Sequence, residues 1–221
     1  VGSSFGLATD ISGNGNHGIL YNGAYYSAGH KAFDFDATSA NITVTTPTGL
    51  STGDPVYSYS AWIKIASAGI GTGLGTIVWF GNWSCQNIAN FQIMRPSGTK
   101  YQLIAEIGCN RVNTAGILDA ERWYHVALVK SGTGNMSINN YTFYVDGIVE
   151  PGISATTTST PLAISTVQYA GVGGGTPSGN DPFRGQISNP KIYSVALEPS
   201  EIQKLYRLGR TGRSMVISDT A

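Results

Sequence analysis

Few side chains in this 221-residue chain have the types and spacing that catalysis requires. A retaining glycosidase needs two carboxyl groups about 5–5.5 Å apart. On one strand, two acids at positions i and i+2 face the same way, and Asp34 and Asp36 have this spacing. His125 alternates with Trp123 in a strand pattern, which favours a packed histidine over a catalytic base. We therefore predict that the chain is not an enzyme, and a divergent glycosidase is the second alternative.

The charge balance argues against several classes of partner. Charged residues make up 12% of the chain, with 13 Lys and Arg against 13 Asp and Glu. Without a broad electrostatic field, nucleic acid is a poor partner. No apolar run approaches the roughly 20 residues that span a bilayer, so we also predict no membrane insertion.

The dominant hydrophobic period is two, which is the period of a half-buried strand. In residues 56–65, for example, Tyr57, Tyr59 and Ile63 fall on one side. Turn residues such as Asp146-Gly147 separate many short strands. This pattern predicts an all-β fold of two packed antiparallel sheets. One short C-terminal helix is predicted to begin at Pro199 and to end at Gly209.

The two cysteines, Cys85 and Cys109, flank a predicted hairpin. Its strands are residues 90–95 and 101–107, and its turn is residues 96–100. Antiparallel pairing about this turn puts Cys85 roughly opposite Cys109, at a separation that suits a disulfide. A disulfide would indicate an oxidising compartment, and two buried free thiols are the alternative. Four Asn-x-Ser/Thr sequons also suit a secreted surface, although this motif arises easily by chance.

Trp83 lies in a polar loop, unlike the other three tryptophans, which lie in strand patterns. A sugar can stack its apolar face on such a ring, while planar polar side chains meet its hydroxyls. The disulfide would hold this loop beside residues 108–113. The alternative is a structural loop in which Trp83 covers the core, and a second polar loop lies at residues 180–184. The predicted ligand-binding residues are Asn82, Trp83, Gln86, Asn87, Asn110, Arg111, Asn180 and Asp181.

Several short segments, in this order, resemble the laminin G-like, concanavalin A-like jelly-roll family. The resemblance covers about residues 5–208. It implies a jelly-roll sandwich that binds glycans or proteins and often does no chemistry. The segments are Asp10-Ile11-Ser12-Gly13-Asn14-Gly15-Asn16-His17-Gly18, Ala32-Phe33-Asp34-Phe35-Asp36, Tyr59-Ser60-Ala61-Trp62-Ile63-Lys64, Arg122-Trp123-Tyr124-His125-Val126-Ala127-Leu128-Val129, Thr142-Phe143-Tyr144-Val145-Asp146-Gly147 and residues 183–197.

The resemblance also implies a structural calcium ion, because many relatives hold one where the first turn meets the Phe-Asp-Phe-Asp strand and the final strand. Carried over to this chain, the ligands would be Asp10, Asn14, Asp36 and Asn189. The final strand of the family often bears two acids where this chain has Ser188 and Asn189. The alternative at Asp10 is an Asx-turn, in which the side chain bonds its own backbone.

We therefore expect a sandwich domain over residues 1–208 and a tail or linker to a further module over residues 209–221. The predicted function is non-catalytic recognition of a cell-surface glycan or glycoprotein, on an extracellular or virion surface. The first alternative is a structural or oligomerising module of a fibre or adhesin, with homo-oligomerisation through the C-terminal tail.

Overall fold

The computed structural model describes residues 6–36, 38–70, 73–96, 98–107, 110–155, 161–175 and 180–217. Within these residues the chain forms sixteen strands, a short 3₁₀ helix at Ile138–Asn140 and one α-helix, α1, at Pro199–Ile217. The strands are β1 (Leu7–Ala8), β2 (Gly18–Tyr21), β3 (Tyr25–Ser27), β4 (Ala32–Phe35), β5 (Asn41–Thr45), β6 (Tyr57–Ile65), β7 (Leu74–Gly81), β8 (Ile88–Met94), β9 (Gln102–Glu106), β10 (Arg111–Thr114), β11 (Trp123–Lys130), β12 (Tyr141–Val145), β13 (Ile148–Val149), β14 (Ile153–Ala155), β15 (Tyr169–Val172) and β16 (Gly185–Tyr193).

The described strands form two antiparallel sheets, which confirms the predicted fold class. The nine-stranded sheet has the order β1-β2-β5-β15-β7-β8-β9-β10-β14, and the seven-stranded sheet has the order β13-β12-β11-β6-β16-β4-β3. Neighbours that are distant in sequence, such as β5 and β15, make this a sandwich of long-range pairings rather than a series of hairpins.

Alternation along the strands builds the core between the sheets. Tyr57, Tyr59 and Ile63 of β6 are buried there, as their period predicts. From the opposite sheet, Phe91 of β8 stacks on Tyr59, with ring centroids 6.2 Å apart and planes 3° apart. The Tyr59 hydroxyl donates a hydrogen bond to the carbonyl oxygen of Ala89 at 2.8 Å, so the buried phenol is satisfied.

Two predicted hairpins are confirmed. The pairing of β8 with β9 has Asn90 opposite Glu106 and Met94 opposite Gln102. The turn between β12 and β13 has Asp146 and Gly147 at φ angles of 51° and 79°. These left-handed angles at both central residues match the twist of the flanking strands.

Helix α1 covers the outer face of the seven-stranded sheet and is longer than predicted. Ile202 packs in a second apolar cluster with Ala127 and Tyr144, and the Tyr206 ring stacks on Trp62 at 5.7 Å. The helix continues beyond Gly209 to Ile217. The prediction that Gly209 ends the helix is therefore wrong.

A close approach explains the glycine at position 209. A Cβ atom built on Gly209 would overlap the indole of Trp62, at its Nε1 atom. Glycine therefore lets the helix backbone lie directly against the ring. This packing requirement, rather than a need to stop the helix, accounts for the residue type.

We expect Gly209→Ala to destabilise the protein by about 1 kcal/mol. Overpacking typically costs about 1–3 kcal/mol, and the gain in helix propensity of about 1 kcal/mol offsets part of that cost. The measurement is the free energy of unfolding in urea. Leu208→Ala is the matched control, because Leu208 is 63% exposed. Equal stability of the glycine variant and the wild type would contradict this packing.

His125 lies beneath the helix and makes the fold sensitive to acid. Its Nε2 atom is 2.9 Å from the Ser60 hydroxyl, and its ring centroid is 6.0 Å from that of Tyr206. Burial, and secondarily the positive charge of Lys191, lower the pKa of His125 to about 4. The folded protein therefore holds this histidine neutral over a pH range in which an unfolded chain, with a pKa of about 6.5, binds a proton.

We expect the free energy of unfolding to fall by about 3 kcal/mol between pH 6.5 and pH 4 because of His125. The stabilisation by neutral His125 is fully present above about pH 6.5, the pKa of histidine in the unfolded chain. It is lost as the pH falls towards about 4, and it stops changing at lower pH because the folded protein then also binds the proton. Denaturant unfolding at several pH values measures it. The loss should shrink in His125→Gln and persist in His17→Gln, which changes an exposed histidine. An unchanged pH profile in His125→Gln would refute this assignment.

Candidate functional site

A row of side chains crosses the outer face of the nine-stranded sheet. The strand register places Trp79 of β7 opposite Asn90 of β8, Asn90 opposite Glu106 of β9, and Glu106 opposite Arg111 of β10. Each of these residues alternates with residues of the inter-sheet core. Because successive side chains of a strand point to opposite faces, the row lies on the side away from the core.

A second polar row lies beside the first. Gln92 of β8 is opposite Thr76 of β7, and its Nε2 atom donates to the Thr76 hydroxyl at 3.1 Å. The same Nε2 atom is 3.4 Å from Asp181 Oδ2, and the Thr76 backbone N–H donates to the Asp181 carbonyl oxygen at 2.8 Å. These bonds attach the segment at Asp181 to the outer face.

Trp83 stands next to this attachment and is half-buried. Its ring meets Trp79 edge to face, with centroids 5.7 Å apart and planes at 88°. A Cβ atom on Gly175 would overlap the Trp83 ring, so the indole lies directly on the backbone there. The Gly175 N–H in turn donates to the Asn180 carbonyl oxygen at 2.6 Å. The Trp83 ring thus packs against Trp79 and the backbone of Gly175, and part of its surface remains exposed to solvent.

The charged groups of this face are partly buried. Arg111 Nη2 lies 4.0 Å from Glu106 Oε2, and 12% of the Glu106 side chain is exposed. Burial raises the pKa of Glu106, with Arg111 opposing the shift and the negative charge of Asp181 adding to it. Burial likewise raises the pKa of Asp181, against the effects of Gln92 and Arg111. The face therefore combines two desolvated carboxyl groups with one guanidinium.

The structure brings together half of the predicted ligand-binding residues. Trp83, Arg111, Asn180 and Asp181 lie around the two rows just described. Asn87 turns elsewhere, because its Oδ1 atom accepts hydrogen bonds from the backbone N–H and the hydroxyl of Ser165, each at 2.8 Å.

The other three predicted residues form backbone hydrogen bonds within the loop or are buried. Gln86 binds through its backbone, donating to Ile107 at 2.7 Å and accepting from Ala163 at 2.6 Å. The Asn82 N–H donates to the Asn87 carbonyl oxygen at 2.7 Å, and Asn110 is 6% exposed. These contacts favour a loop-shaping role for the residues flanking Trp83.

Sequence reasoning missed Asn90, Gln92 and Glu106. The signal was available, because Asn90 and Gln92 occupy alternate positions of a predicted strand, on the side opposite its apolar residues. The predicted hairpin also places Asn90 across from Glu106. Polar side chains at such positions usually indicate a solvated face, whereas Asn90 and Gln92 are 2% and 0% exposed.

The predicted disulfide involves Cys109, which lies outside the described residues, so the pairing with Cys85 stays a prediction. The described neighbours of the two cysteines do meet, through the hydrogen bond between Gln86 and Ile107. No free cysteine occurs among the described residues.

The four residues predicted to bind calcium do not gather at one place. Asp10, Asn14 and Asn189 line a cleft of about 700 Å³ between the sheets, whereas Asp36 lines a separate pocket of about 300 Å³. The Asp10 carboxylate accepts from the Ser12 N–H and hydroxyl and from the Asn16 N–H, at 2.8–2.9 Å. The bond from the Ser12 backbone is the main cause that lowers the pKa of Asp10. This geometry is that of the Asx-turn alternative, and the calcium site over the four residues stays a prediction.

Asp34 and Asp36 line the smaller pocket together, as their spacing predicts. Asp34 Oδ1 accepts a hydrogen bond from Gln186 Nε2 at 2.8 Å. Lys64 and Glu121 line the same pocket and form an ion pair at 3.0 Å. The pocket therefore contains the carboxyl groups of Asp34, Asp36 and Glu121 together with the basic side chain of Lys64.

Solved structures share this fold at low identity. The ligand-binding domain of botulinum neurotoxin serotype D, solved with N-acetylneuraminic acid, has a TM-score of 0.61 and 15% identity, over 90% of this chain and 47% of that one. Domain 4 of AbnA, an extracellular arabinanase of Geobacillus stearothermophilus solved with arabinotriose, has a TM-score of 0.53 and 16% identity, over 93% and 82%. A Trypanosoma rangeli sialidase has a TM-score of 0.56 and 16% identity, over 86% and 29%. This chain thus spans about half of the toxin domain's length.

Sequence comparison identifies the family directly. No curated protein sequence matches the chain significantly. The family model described as the concanavalin A-like lectin/glucanases superfamily matches residues 36–203, which is most of the chain. The predicted resemblance is thereby confirmed. With its two antiparallel sheets and this match, the chain belongs to the concanavalin A-like lectin/glucanase superfamily.

Proposed function

We propose that this protein is a non-catalytic carbohydrate-binding module that uses the outer face of its nine-stranded sheet. The observation that carries the proposal is Trp83, a half-buried ring held edge to face on Trp79 and seated on Gly175. An aromatic side chain whose position is already fixed loses little entropy when a sugar stacks on it. Shallow sugar sites depend on such preorganised rings.

The polar groups around Trp83 suit sugar hydroxyls. Asn180 is exposed, and Asp181 and Arg111 are half-buried at the same face. A carboxylate accepts hydrogen bonds and a guanidinium donates them, so a ring of hydroxyl groups would find both kinds of partner. Two of the structural neighbours were solved with a saccharide bound, which supports the ligand class without identifying the sugar.

The partner we propose is a cell-surface glycan or glycoprotein, and the location is an extracellular or virion surface. A single shallow site binds weakly, so affinity would come from several copies acting together. Among the described residues, no helix has the length and apolarity to cross a membrane.

We expect Trp83→Ala to weaken glycan binding by about tenfold or more, because losing a stacked ring removes roughly 1.4 kcal/mol or more. A glycan array identifies a ligand, and isothermal titration calorimetry measures the change. Trp123→Ala is the matched control, since Trp123 is a half-buried tryptophan on the outer face of the other sheet. Normal binding in Trp83→Ala would overturn the proposed site, and an equal loss in Trp123→Ala would show that the effect is not specific to Trp83.

A second candidate function is glycoside hydrolysis in the smaller pocket, because Asp34 and Asp36 both line it. The ion pair of Lys64 with Glu121 in that pocket argues for a structural role. We therefore expect no release of reducing sugar from glycans that the protein binds. Sugar release that disappears in Asp34→Asn would establish the hydrolytic function and contradict the non-catalytic one.

A further inference from the structure

Three buried oxygen atoms on the outer face of the nine-stranded sheet have no hydrogen-bond partner among the residues that the structure describes. They are Asn90 Oδ1, Gln92 Oε1 and Glu106 Oε2. Leaving such an atom unsatisfied costs about 1–3 kcal/mol. Native proteins therefore pair nearly all of them with protein, water or an ion. Three orphaned acceptors in one region indicate a missing donor or cation.

The three atoms belong to neighbouring side chains. Asn90 and Glu106 are directly opposite each other in the β8–β9 pairing, where Cβ atoms of facing residues are about 4.5–5.5 Å apart. Gln92 is two residues beyond Asn90 and so lies on the same face. Its amide group reaches Asp181, with Nε2 at 3.4 Å from Oδ2. We call Asn90, Gln92, Glu106 and Asp181 the acceptor cluster.

The charges of the acceptor cluster also leave a deficit of positive partners. Within the described part of the chain, two carboxyl groups face one guanidinium, and Arg111 Nη2 is 4.0 Å from Glu106 Oε2, beyond hydrogen-bond distance. Arg111 also directs Nη1 to the sulfur of Met94 at 3.7 Å. A further cation would balance the second carboxyl group.

We propose that the acceptor cluster binds a hard divalent cation of the calcium class. Calcium takes six to eight oxygen ligands from carboxylates, amide carbonyls and water, and the cluster supplies oxygens of the first two kinds. Within the described ranges, no three His, Cys, Asp or Glu side chains group together as metal ligands. A site here must therefore use the amide oxygens, which argues against metals that prefer nitrogen or sulfur.

This site differs from the one that family resemblance implied at Asp10. There the carboxylate oxygens already accept three hydrogen bonds from protein donors. In the acceptor cluster, Asn90 Oδ1, Gln92 Oε1 and Glu106 Oε2 are buried and have no hydrogen-bond partner among the described residues, while Asp181 Oδ2 accepts from Gln92 Nε2 at 3.4 Å. Asp181 belongs to both proposed sites, but ion binding is measured without a sugar, so either idea can fail without the other.

Terbium luminescence tests the proposal, with Tb³⁺ as the probe and Ca²⁺ as the competitor. Trp79 lies directly opposite Asn90, so indole excitation should sensitise a terbium ion held by the cluster. We expect emission from the wild-type chain that Ca²⁺ displaces. We expect Glu106→Gln and Asp181→Asn each to weaken terbium binding at least tenfold. Asp10→Asn is the matched control and should bind as the wild type does.

Three results would overturn the site: no sensitised emission from the wild-type chain, undiminished emission from both cluster variants, or emission lost only in Asp10→Asn. Far-UV circular dichroism shows whether each variant is folded. As a second readout, Ca²⁺ should raise the melting temperature of the wild type and of Asp10→Asn but not of Glu106→Gln. An equal rise in Glu106→Gln would also reject the site.

Discussion

The structure depends on the packing of alternate side chains between two antiparallel sheets. Tyr57, Tyr59 and Ile63 on β6 face Phe80 and Phe91 on the opposite sheet across a continuous core. Because a slip of one residue would turn every side chain of a strand to the other face, this burial fixes the register of each pairing. The register then determines which residues stand side by side on the outer faces. The candidate site is thus a consequence of core packing.

The two outer faces are covered in different ways. On the seven-stranded sheet, α1 contributes apolar residues such as Ile202, and Tyr206 stacks on Trp62. On the nine-stranded sheet, the segment at Asp181 is attached by hydrogen bonds to Thr76 and Gln92. An apolar cover stabilises through burial alone. A polar cover must satisfy each group that it buries, and here three acceptor oxygens have no partner among the described residues. That difference is why we propose the nine-stranded sheet as the functional face.

Two glycines show why residue types can mislead before the tertiary structure is known. Gly209 stands where a helix could end, and Gly175 stands in a glycine-rich stretch that reads as a flexible connection. Each instead lies directly beneath a tryptophan ring, Trp62 in one case and Trp83 in the other. Glycine has two uses, an unusual backbone angle and a close approach, and local sequence does not distinguish them.

The predicted metal and ligand sets show the same limit. Asp10 and Asp36 carry the right chemistry for calcium, but they line different pockets. Asn87 has the right chemistry for a sugar, but its side chain holds Ser165. Protein donors form hydrogen bonds with the side-chain oxygens of Asp10 and Asn87, and the sequence does not show these donors because they come together only in the folded chain.

The sequence by itself determined the all-β class, the strand faces and the hairpins, because these follow from period-two alternation and from turn chemistry within a few residues. It also showed that Trp83 differs from the other tryptophans. Only the tertiary structure decided that Asp181 joins Asn90 and Glu106, and that the helix passes Gly209. The reason is that these neighbours are separated by up to about ninety residues along the chain, and their meeting depends on which strands pair and on how closely two backbones approach.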